Sequence, residues 1–536
     1  MRLFEKIISG ILIVGVGVLA QDTFEAPDFN VTNALIGNGV NVSAIPELAN
    51  LVVRSSLSGC SIACDSLRVV FGKTKVASGQ NAEYWSNQQL AVEPYCTFTP
   101  RATLEVSTLV LISRLTQCPF AVKSGGHAAF PDASSIQGGI TVDLKDFTTR
   151  RLSDDEKTVA IGPGNRWIDV YHYLTPHNLT VVGGRAAHVG VGGLTLGGGI
   201  SDLTNEYGLA CDNVASYEVV TASGVIVNAS LKAFSDLYWA LRGGGNNFGI
   251  VTTFNYQTIV QPPMWGGMRI HDTSATPALI TAFENAINNA EKDTKLAHVV
   301  SFTTYDTYQL AFTELEYFVP VNLANPPEIA KEYLSIPFMQ DNTSNSTLED
   351  LTPHRSNDMP SGFRTSTWSA SFKASYDCKK CIAELIQEMT DYFFEIAPAL
   401  PAVSVNIAFQ AFSKPALEAM QKNGGNALGL YPEDGPFFHV LVYMAWNETS
   451  DDTTMMKAAE DYIQVSKTMA KDLGVDNDYC YMPYSSGYQP VVAGYGAENM
   501  ARLQAISNKY DPTQVFQSLQ PGYFKLHGKA PLGASV

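Results

Sequence analysis

The sequence is poor in charged residues, in long apolar runs and in short repeats. Asp, Glu, Lys and Arg make up only 16% of its 536 residues, while 45% are hydrophobic. Because disordered chains combine low hydrophobicity with high charge, this composition predicts a globular protein. No run of about eighteen apolar residues occurs after residue 20, so the rest of the chain offers no candidate membrane helix.

Positive charge is also scarce. Lys and Arg total 35 against 52 Asp and Glu, which gives a formal net charge of −17 at pH 7. A field of this sign repels nucleic acid and acidic membrane surfaces. We therefore expect neither as a partner.

The first twenty residues, "MRLFEKIISGILIVGVGVLA", combine a charged start, an apolar run and a small-residue end. This pattern is typical of a secretory signal peptide, with cleavage near Ala20. The alternative is a membrane anchor, but residues 7–20 are short for a span. Seven Asn-x-Ser/Thr sequons agree with secretion and predict N-glycans; they start at Asn30, Asn41, Asn178, Asn228, Asn342, Asn345 and Asn447.

Eight cysteines in a secreted chain predict disulfides. The N-terminal four, at 60, 64, 96 and 118, are expected to form two bridges, and three connectivities remain open. Cys378 and Cys381 lack the two further ligands that zinc requires, so a local disulfide is the simpler reading. We expect no metal site.

The coarse pattern is that of two α+β domains. Residues 44–75 have helical spacing, and 94–260 alternate short β-rich runs with helical pieces such as "RWIDVYHYLTPHN". After a boundary near 261–268, long alternating strands and helices at about 378–397 and 452–472 predict an antiparallel sheet with helices on one face. The domains are expected to be 21–262, 263–478 and a C-terminal segment, 479–536, that returns to the first.

Glycine clusters mark three loops: "SGGH" at 124–127, "VGVGGLTLGGG" at 189–199 and "LRGGGNNFGIV" at 241–251. Such loops expose main-chain N–H groups that can hold an anion, most naturally a pyrophosphate. A single cluster could be a plain turn, but three suggest one long ligand lying over several loops. The chain has no strict G-x-G-x-x-G, so a dinucleotide Rossmann unit is not predicted.

These motifs, together with "YGLACDNV" and the terminal "YMPYSSGYQPVVAGYGAENMARLQAISNKYDPTQVF", resemble those of the FAD-linked oxidases of the vanillyl-alcohol-oxidase superfamily. The chain is most similar to secreted fungal members of the berberine-bridge-enzyme-like branch. The resemblance covers about 60–262 and 479–525, and the middle only in outline. It implies a PCMH-type FAD-binding domain followed by a substrate domain, and FAD as the cofactor.

The resemblance assigns His127 as the covalent attachment point of FAD, through the 8α-methyl group. Many relatives make a second bond from a cysteine where this chain has Ala186, so single attachment is expected. The thiol of Cys211 is expected to be free and buried. The cofactor-contacting residues implied are Lys123, Ser124, Gly125, Gly126, Ala128, Val189, Gly190, Gly192, Gly193, Thr195, Gly197, Gly198, Gly199, Gly249, Ile250 and Val251.

Val189 matches the position thought to control access of dioxygen, and a valine there favours an oxidase that forms hydrogen peroxide. The resemblance places the catalytic base in the "YMPY" run, where Pro483 replaces the usual asparagine. Tyr484 is our first candidate and Tyr481 the second; read as a strand, the run puts them on opposite faces. An ordinary structural tyrosine is the alternative reading.

Substrate contacts are expected from the middle strands, at Gln410, His439 and Tyr443. The expected substrate is a small alcohol or amine, either a carbohydrate or a secondary metabolite. Three alternatives remain open: an oxidative cyclase, a dehydrogenase, and a protein that binds flavin or ligand without catalysis.

Overall fold

The computed structural model describes residues 23–49, 56–305, 308–357, 359–374 and 381–536. The predicted signal peptide, 1–20, and Cys378 of the predicted Cys378–Cys381 pair lie outside what it describes, so that pair is not tested. Within the described ranges, no helix combines the length and apolar character needed to cross a bilayer.

The N-terminal half holds two principal sheets. In the first, Ile140–Asp143 runs parallel to both Cys96–Phe98 and Phe120–Lys123, and Val76–Ser78 adds an antiparallel edge. The second is antiparallel, in the order Arg150–Leu152, Thr158–Ile161, Ile250–Gln257, Val214–Val220, Ile226–Ser230. The short strands Leu179–Thr180 and Ile259–Val260 pair separately.

Helices pack around these sheets: Val31–Gly37, Pro46–Ala49, Ser56–Phe71, Asn87–Leu90, Thr103–Thr116, Trp167–Leu174, Val191–Leu196, Thr204–Tyr207 and Ser235–Ala240. The glycines of the second cluster leave few side chains to pack, and Val191–Leu196 has only two turns of helix before Gly197 ends it.

Two disulfides fix the helix Ser56–Phe71 to the first sheet. Cys60 pairs with Cys118 and Cys64 with Cys96, which selects one of the three connectivities that the sequence left open. Cys211 is free and buried, as predicted, and Cys480 is a second buried free thiol in the described chain.

The second half is built on a nine-stranded antiparallel sheet. Its strands run in the order Gln340–Asp341, Met264–Asp272, Tyr308–Tyr317, Leu296–Tyr305, Ser404–Phe412, Phe437–Trp446, Arg364–Lys373, Asp476–Asn477, with Ser344–Ser346 also pairing with Met264–Asp272. The remaining helices are Thr276–Asn289, Lys331–Ser335, Leu348–Asn357, Cys381–Ile396, Lys414–Met420, Asp452–Asp472, Ala497–Tyr510 and Val515–Ser518.

Alternation along the strands gives this sheet two different faces. Val300, Phe302, Val440 and Val442 pack in one hydrophobic core with the helices Thr276–Asn289, Cys381–Ile396 and Asp452–Asp472. Residues one position along point to the opposite face, towards the N-terminal half. The predicted α+β class, with an antiparallel sheet carrying helices on one face, is confirmed.

The C-terminal segment packs on the N-terminal half. The main-chain N–H of Phe120 donates to the carbonyl of Leu519 at 2.6 Å, and Phe130 packs against Tyr523 and Phe524. The Asn247 side chain donates to the carbonyl of Phe524 at 2.9 Å. The tail therefore reaches the third glycine-rich loop.

Candidate functional site

A cavity of about 840 Å³ lies between the glycine-rich loops and the free face of the nine-stranded sheet. The loops contribute 124–128, 189–190, 192–194 and 249–251, and the sheet contributes alternate residues such as Val299, Ser301, Thr303, Ala408 and Leu441. A volume of this size is typical of a site for a cofactor together with a small substrate.

Close approach of two loops accounts for some of the glycines. A Cβ atom on Gly125 would lie 2.5 Å from the main-chain nitrogen of Gly190, and one on Gly190 would lie 2.4 Å from that of Gly125. Gly192 donates its N–H to Ser124 Oγ at 3.1 Å and has no room for a Cβ beside it. Gly193 is different, because a Cβ there would meet no protein atom within 4 Å. The space beside Gly193 is left to a ligand.

His127 stands in the cavity wall after the first glycine loop. Its Nε2 atom is buried and has no hydrogen-bond partner in the described structure. Burial lowers the pKa of His127 to about 3, with further lowering by His188 and Arg166. The imidazole is therefore neutral at physiological pH and carries a free lone pair, as a nucleophile requires.

Two rings enclose His127, and the sequence analysis missed both. Trp85 stacks on it with centroids 4.2 Å apart and planes 9° apart, and His188 lies at 4.6 Å. Trp85 is fixed by its own indole N–H, which donates to the carbonyl of Met359 at 3.0 Å. Trp85 is separated from every glycine motif along the chain, so no sequence signal pointed to it.

The two candidate bases do not lie on a strand, and that expectation was wrong. Met482–Tyr484 is a 3-10 turn, which brings residues three apart to the same side. The rings of Tyr481 and Tyr484 accordingly meet edge to face at 4.8 Å, and both line the cavity. Pro483 sits between them and packs on Gly197.

The two hydroxyls have different partners. The Tyr481 hydroxyl accepts the N–H of Ile200 at 2.7 Å, and burial raises the pKa of Tyr481 well above its usual value. The Tyr484 hydroxyl accepts from Arg185 at 2.9 Å and lies 3.4 Å from Gln410 Oε1. Tyr484 is therefore the better candidate for proton transfer, since its partners face the cavity.

Of the predicted substrate contacts, Gln410 and Tyr443 line the cavity and His439 does not. The Tyr443 hydroxyl is buried with no partner among the described residues, and burial raises the pKa of Tyr443 so that it remains a donor. His439 is on the same face of its strand, but the rings of Tyr481, Tyr484 and Phe412 cover it. It supports the tyrosines instead of reaching the cavity.

Some of the predicted cofactor residues line the cavity and others do not. Those in the cavity wall are Ser124, Gly125, Gly126, His127, Ala128, Val189, Gly190, Gly192, Gly193, Gly249, Ile250 and Val251. Lys123 instead forms a buried ion pair with Asp143 at 3.1 Å, and Thr195 donates to the carbonyl of Val191 at 2.6 Å.

Gly197, Gly198 and Gly199 are packing positions. A Cβ on them would meet Pro483, Leu428 and Ala210 respectively, and none of the three lines the cavity. The second glycine cluster, 189–199, was expected to be one anion-binding loop, but its two halves differ. Residues 189, 190 and 192–194 face the cavity, and 197–199 let neighbouring segments pack closely.

The C-terminal segment adds wall residues that the sequence analysis did not single out. Gln520 is 2% exposed, lines the cavity and has a buried Oε1 without a partner in the described chain. Tyr523 lines the cavity too, as does Asn246 of the third glycine loop. Asn246 Oδ1 accepts from the buried Lys525 at 2.9 Å. Only the fold brings this segment to the loops.

A buried ion cluster closes the side of the cavity near Tyr484. Arg355 pairs with Asp202 at 2.9 Å, with Glu314 at 2.5 Å and with Glu316. Burial raises the pKa of Glu316 well above its usual value, and the nearby Asp202 and Glu314 add to the increase against the effect of Arg355. Three carboxyl groups therefore share one arginine.

This arrangement fits a flavin. Space beside Gly193 is open for a ligand, and glycines of three loops bring main chain to the cavity wall. The buried Nε2 of His127 and the Oε1 of Gln520 have no hydrogen-bond partner in the described chain. Together these features define the class: an oxidoreductase that holds an elongated cofactor across glycine loops, with a tyrosine beside its substrate space.

Comparisons with known proteins identify the family. Residues 94–230 match a family model described as an FAD binding domain. The chain is 34% identical over 470 residues, covering 84% of it and 89% of the relative, to the FAD-dependent monooxygenase tpcD of Cochliobolus heterostrophus. It is 35% identical to the FAD-dependent monooxygenase FUP4 of Fusarium proliferatum, over 83% and 87% of the two chains.

Among solved structures, glucooligosaccharide oxidase from Acremonium strictum shares the fold. The TM-score is 0.68 at 19% identity, over 89% of this chain and 100% of that one. The chain belongs to the family of FAD-dependent oxidoreductases that includes these fungal monooxygenases, and it is an FAD-linked oxidoreductase itself.

Proposed function

We propose that this protein carries FAD covalently on His127, oxidises an alcohol or amine of a small molecule, and passes the electrons to dioxygen to form hydrogen peroxide. One observation carries the proposal: a neutral histidine with an unpartnered nitrogen and a hydrogen-bonded tyrosine line the same cavity. When bound, FAD would supply the two-electron acceptor.

Single attachment follows from two positions. His127 offers an unprotonated nitrogen, whereas Ala186, also in the cavity wall, has no nucleophile. The structural neighbour from Acremonium strictum is described as having a 6-S-cysteinyl, 8α-N1-histidyl FAD. The present chain can form only the histidyl bond of that pair.

Tyr484 is proposed as the base. Oxidation removes a hydride from carbon and a proton from the attached oxygen or nitrogen, and a base within hydrogen-bond reach accelerates the step. The Arg185 guanidinium donates to the Tyr484 hydroxyl at 2.9 Å and is the counter-charge that a phenolate requires. Gln410, which accepts from the same Arg185 nitrogen at 2.8 Å, holds the arginine in place.

The substrate would lie on the free face of the sheet. Val299, Ala408 and Leu441 give that face an apolar centre, which excludes water from the reacting atoms. The buried, unpartnered hydroxyl of Tyr443 would donate a hydrogen bond to the substrate. His439 is not proposed as a contact, since it lies behind the tyrosines.

Dioxygen is proposed as the acceptor because the small side chain of Val189 lines the cavity. A dehydrogenase, which would use another acceptor, is the alternative. The two relatives named above are FAD-dependent monooxygenases, and this favours a biosynthetic metabolite over a carbohydrate as substrate. It also makes oxygen insertion, and an oxidative cyclisation after hydride removal, second candidates.

Secretion is proposed as well. The two disulfides are compatible with an oxidising compartment. The asparagines of all seven sequons are exposed, as glycosylation requires. Mass spectrometry of protein from its native host, with and without glycosidase, tests this part independently.

The experiment that tests catalysis is anaerobic reduction of the purified yellow protein by a panel of alcohols, amines and phenolic metabolites. We expect the flavin absorbance to bleach with one chemical class and to recover in air with one equivalent of peroxide. Recovery with an oxygenated product and no peroxide would favour monooxygenation. A flavin that no compound reduces would favour the non-catalytic alternative.

A further inference from the structure

The charged groups of the cavity are concentrated at one place. Among the described residues of its wall, Arg185, Arg355 and Glu314 are the charged ones, and the rest are apolar or neutral polar side chains. Arg185 lies between the candidate base and Gln410, and 14% of its side chain remains accessible, within the cavity it lines.

Arg185 is enclosed by the protein, yet no described carboxylate lies within hydrogen-bond distance of its guanidinium. Its closest described carboxylate, Glu314, is 4.0 Å away, and Glu314 itself is bonded by Arg355 at 2.5 Å. Its two described hydrogen bonds go to uncharged acceptors, Gln410 at 2.8 Å and Tyr484 at 2.9 Å. A charge withdrawn from water is costly unless an opposite charge compensates it.

The nearby acidic groups make their close contacts with Arg355 instead of Arg185. Asp202 and Glu316, like Glu314, are bonded to Arg355. All three carboxyl groups are thus bonded to Arg355, and the nearest of them, Glu314, lies 4.0 Å from Arg185. The guanidinium of Arg185 faces the cavity with a positive charge available to a ligand.

We propose that Arg185 binds an acidic oxygen of the substrate, a carboxylate, phenolate or enolate, and so selects acidic metabolites against neutral sugars. This inference rests on the proposed function and names its substrate class. Because the same nitrogen of Arg185 contacts Tyr484, the acidic oxygen would lie next to the base. A bidentate arginine contact also fixes the orientation of a flat acid.

The test uses matched acid and amide probes on the flavin-loaded protein. Benzoate is compared with benzamide, and 2-naphthoate with 2-naphthamide, by perturbation of the flavin spectrum and by shift of the melting temperature. We expect the wild type to bind at least one acid about tenfold or more tightly than its amide. Arg185→Gln should abolish this preference, and Arg185→Lys should retain part of it.

Two further variants make the result specific. Glu314→Gln removes the carboxylate nearest to Arg185 and should increase the preference for acids, which a purely structural role would not do. Arg101→Gln, at an exposed arginine paired with Asp146, is the control and should leave binding unchanged.

The inference is overturned if no acid binds more tightly than its amide in the wild type, including the case in which no probe binds. It is also overturned if Arg185→Gln keeps the preference or Glu314→Gln fails to increase it. Purified protein without flavin absorbance would contradict the proposed function instead, so the two failures are distinguishable.

Discussion

Gly125 and Gly190 meet through bare main chain, each occupying the place where the other's Cβ would be. This contact fastens the loop that carries His127 to the loop that carries Val189. Glycine is required at both positions by the neighbouring backbone, and no ligand needs to be invoked for them. Gly193, three residues after Gly190, faces the cavity, and a Cβ there would meet no described atom within 4 Å. Glycine at this position leaves space for a ligand instead of for neighbouring backbone.

The contrast predicts opposite outcomes for two alanine substitutions. Gly125→Ala should lower the stability of the protein with or without cofactor, because its Cβ would lie 2.5 Å from main-chain atoms that have little freedom to move. Gly193→Ala should leave the cofactor-free protein as stable as the wild type or more so, by up to about 1 kcal/mol, since alanine favours helix. It should nevertheless impair uptake of FAD.

Thermal melts of cofactor-free and reconstituted protein check both statements. Gly37→Ala, at a described glycine with nothing within 4 Å of its Cβ and far from the cavity, serves as the control. Normal flavin uptake by Gly193→Ala would mean that the cofactor does not use the space beside it.

His127→Ala should convert attached flavin to flavin that separates when the protein is precipitated with acid. The reason is that the unprotonated nitrogen available for the bond is lost. Absorbance of the pellet and supernatant measures the effect. His172→Ala, at an exposed histidine paired with Glu349, should keep all flavin in the pellet. Colour remaining with denatured His127→Ala would move the attachment to another residue.

Tyr484→Phe should slow flavin reduction by about 10²- to 10⁴-fold, the range expected for loss of a positioned base, with the fold intact. Tyr481→Phe should act mainly on stability, by about 1 kcal/mol, because its hydroxyl accepts the N–H of Ile200. Anaerobic stopped-flow reduction and thermal melts separate the two effects. An unchanged reduction rate in Tyr484→Phe would remove it as the base.

Glu316 predicts a pH dependence of stability. Burial raises its pKa in the folded protein, so the native state holds a proton that the unfolded chain releases above about pH 4.3. Its contribution to stability is therefore complete below that pH and is lost as the pH rises through the native pKa. Glu316→Gln should flatten this decline and be more stable than the wild type at pH 7.

Glu314→Gln is the matched comparison. Although burial raises the pKa of Glu314, Arg355 and Arg185 lower it to below its usual value overall. This carboxylate therefore stabilises the fold above its unfolded pKa, and its replacement should cost stability at pH 7. Melting temperatures measured between pH 4 and 8 test the pair, and equal shifts of the two variants in the same direction would contradict it.

Much of the fold could be predicted because its signals are local. Alternating strands, the helix over Asp452–Asp472 and the glycine-rich loops each depend on neighbouring residues in the chain. The conformation of the "YMPY" run could not be predicted in this way. Its residues fit a strand by pattern but form a 3-10 turn in which Pro483 packs on Gly197. His439 was wrongly expected to contact the substrate for a related reason. It lies on the strand face that is directed at the cavity, but the rings of Tyr481 and Tyr484, which are distant in sequence, cover it.

The sequence by itself determined the family, the cofactor type and the α+β class with its antiparallel sheet, since contiguous motifs carry that information. Only the tertiary structure decided which cysteines pair, which tyrosine faces Arg185, and that Trp85, Gln520 and the Arg355 cluster enclose the site. These relationships join segments separated by tens to hundreds of residues. Their distances are set by packing of the whole chain, which no local pattern of residues encodes.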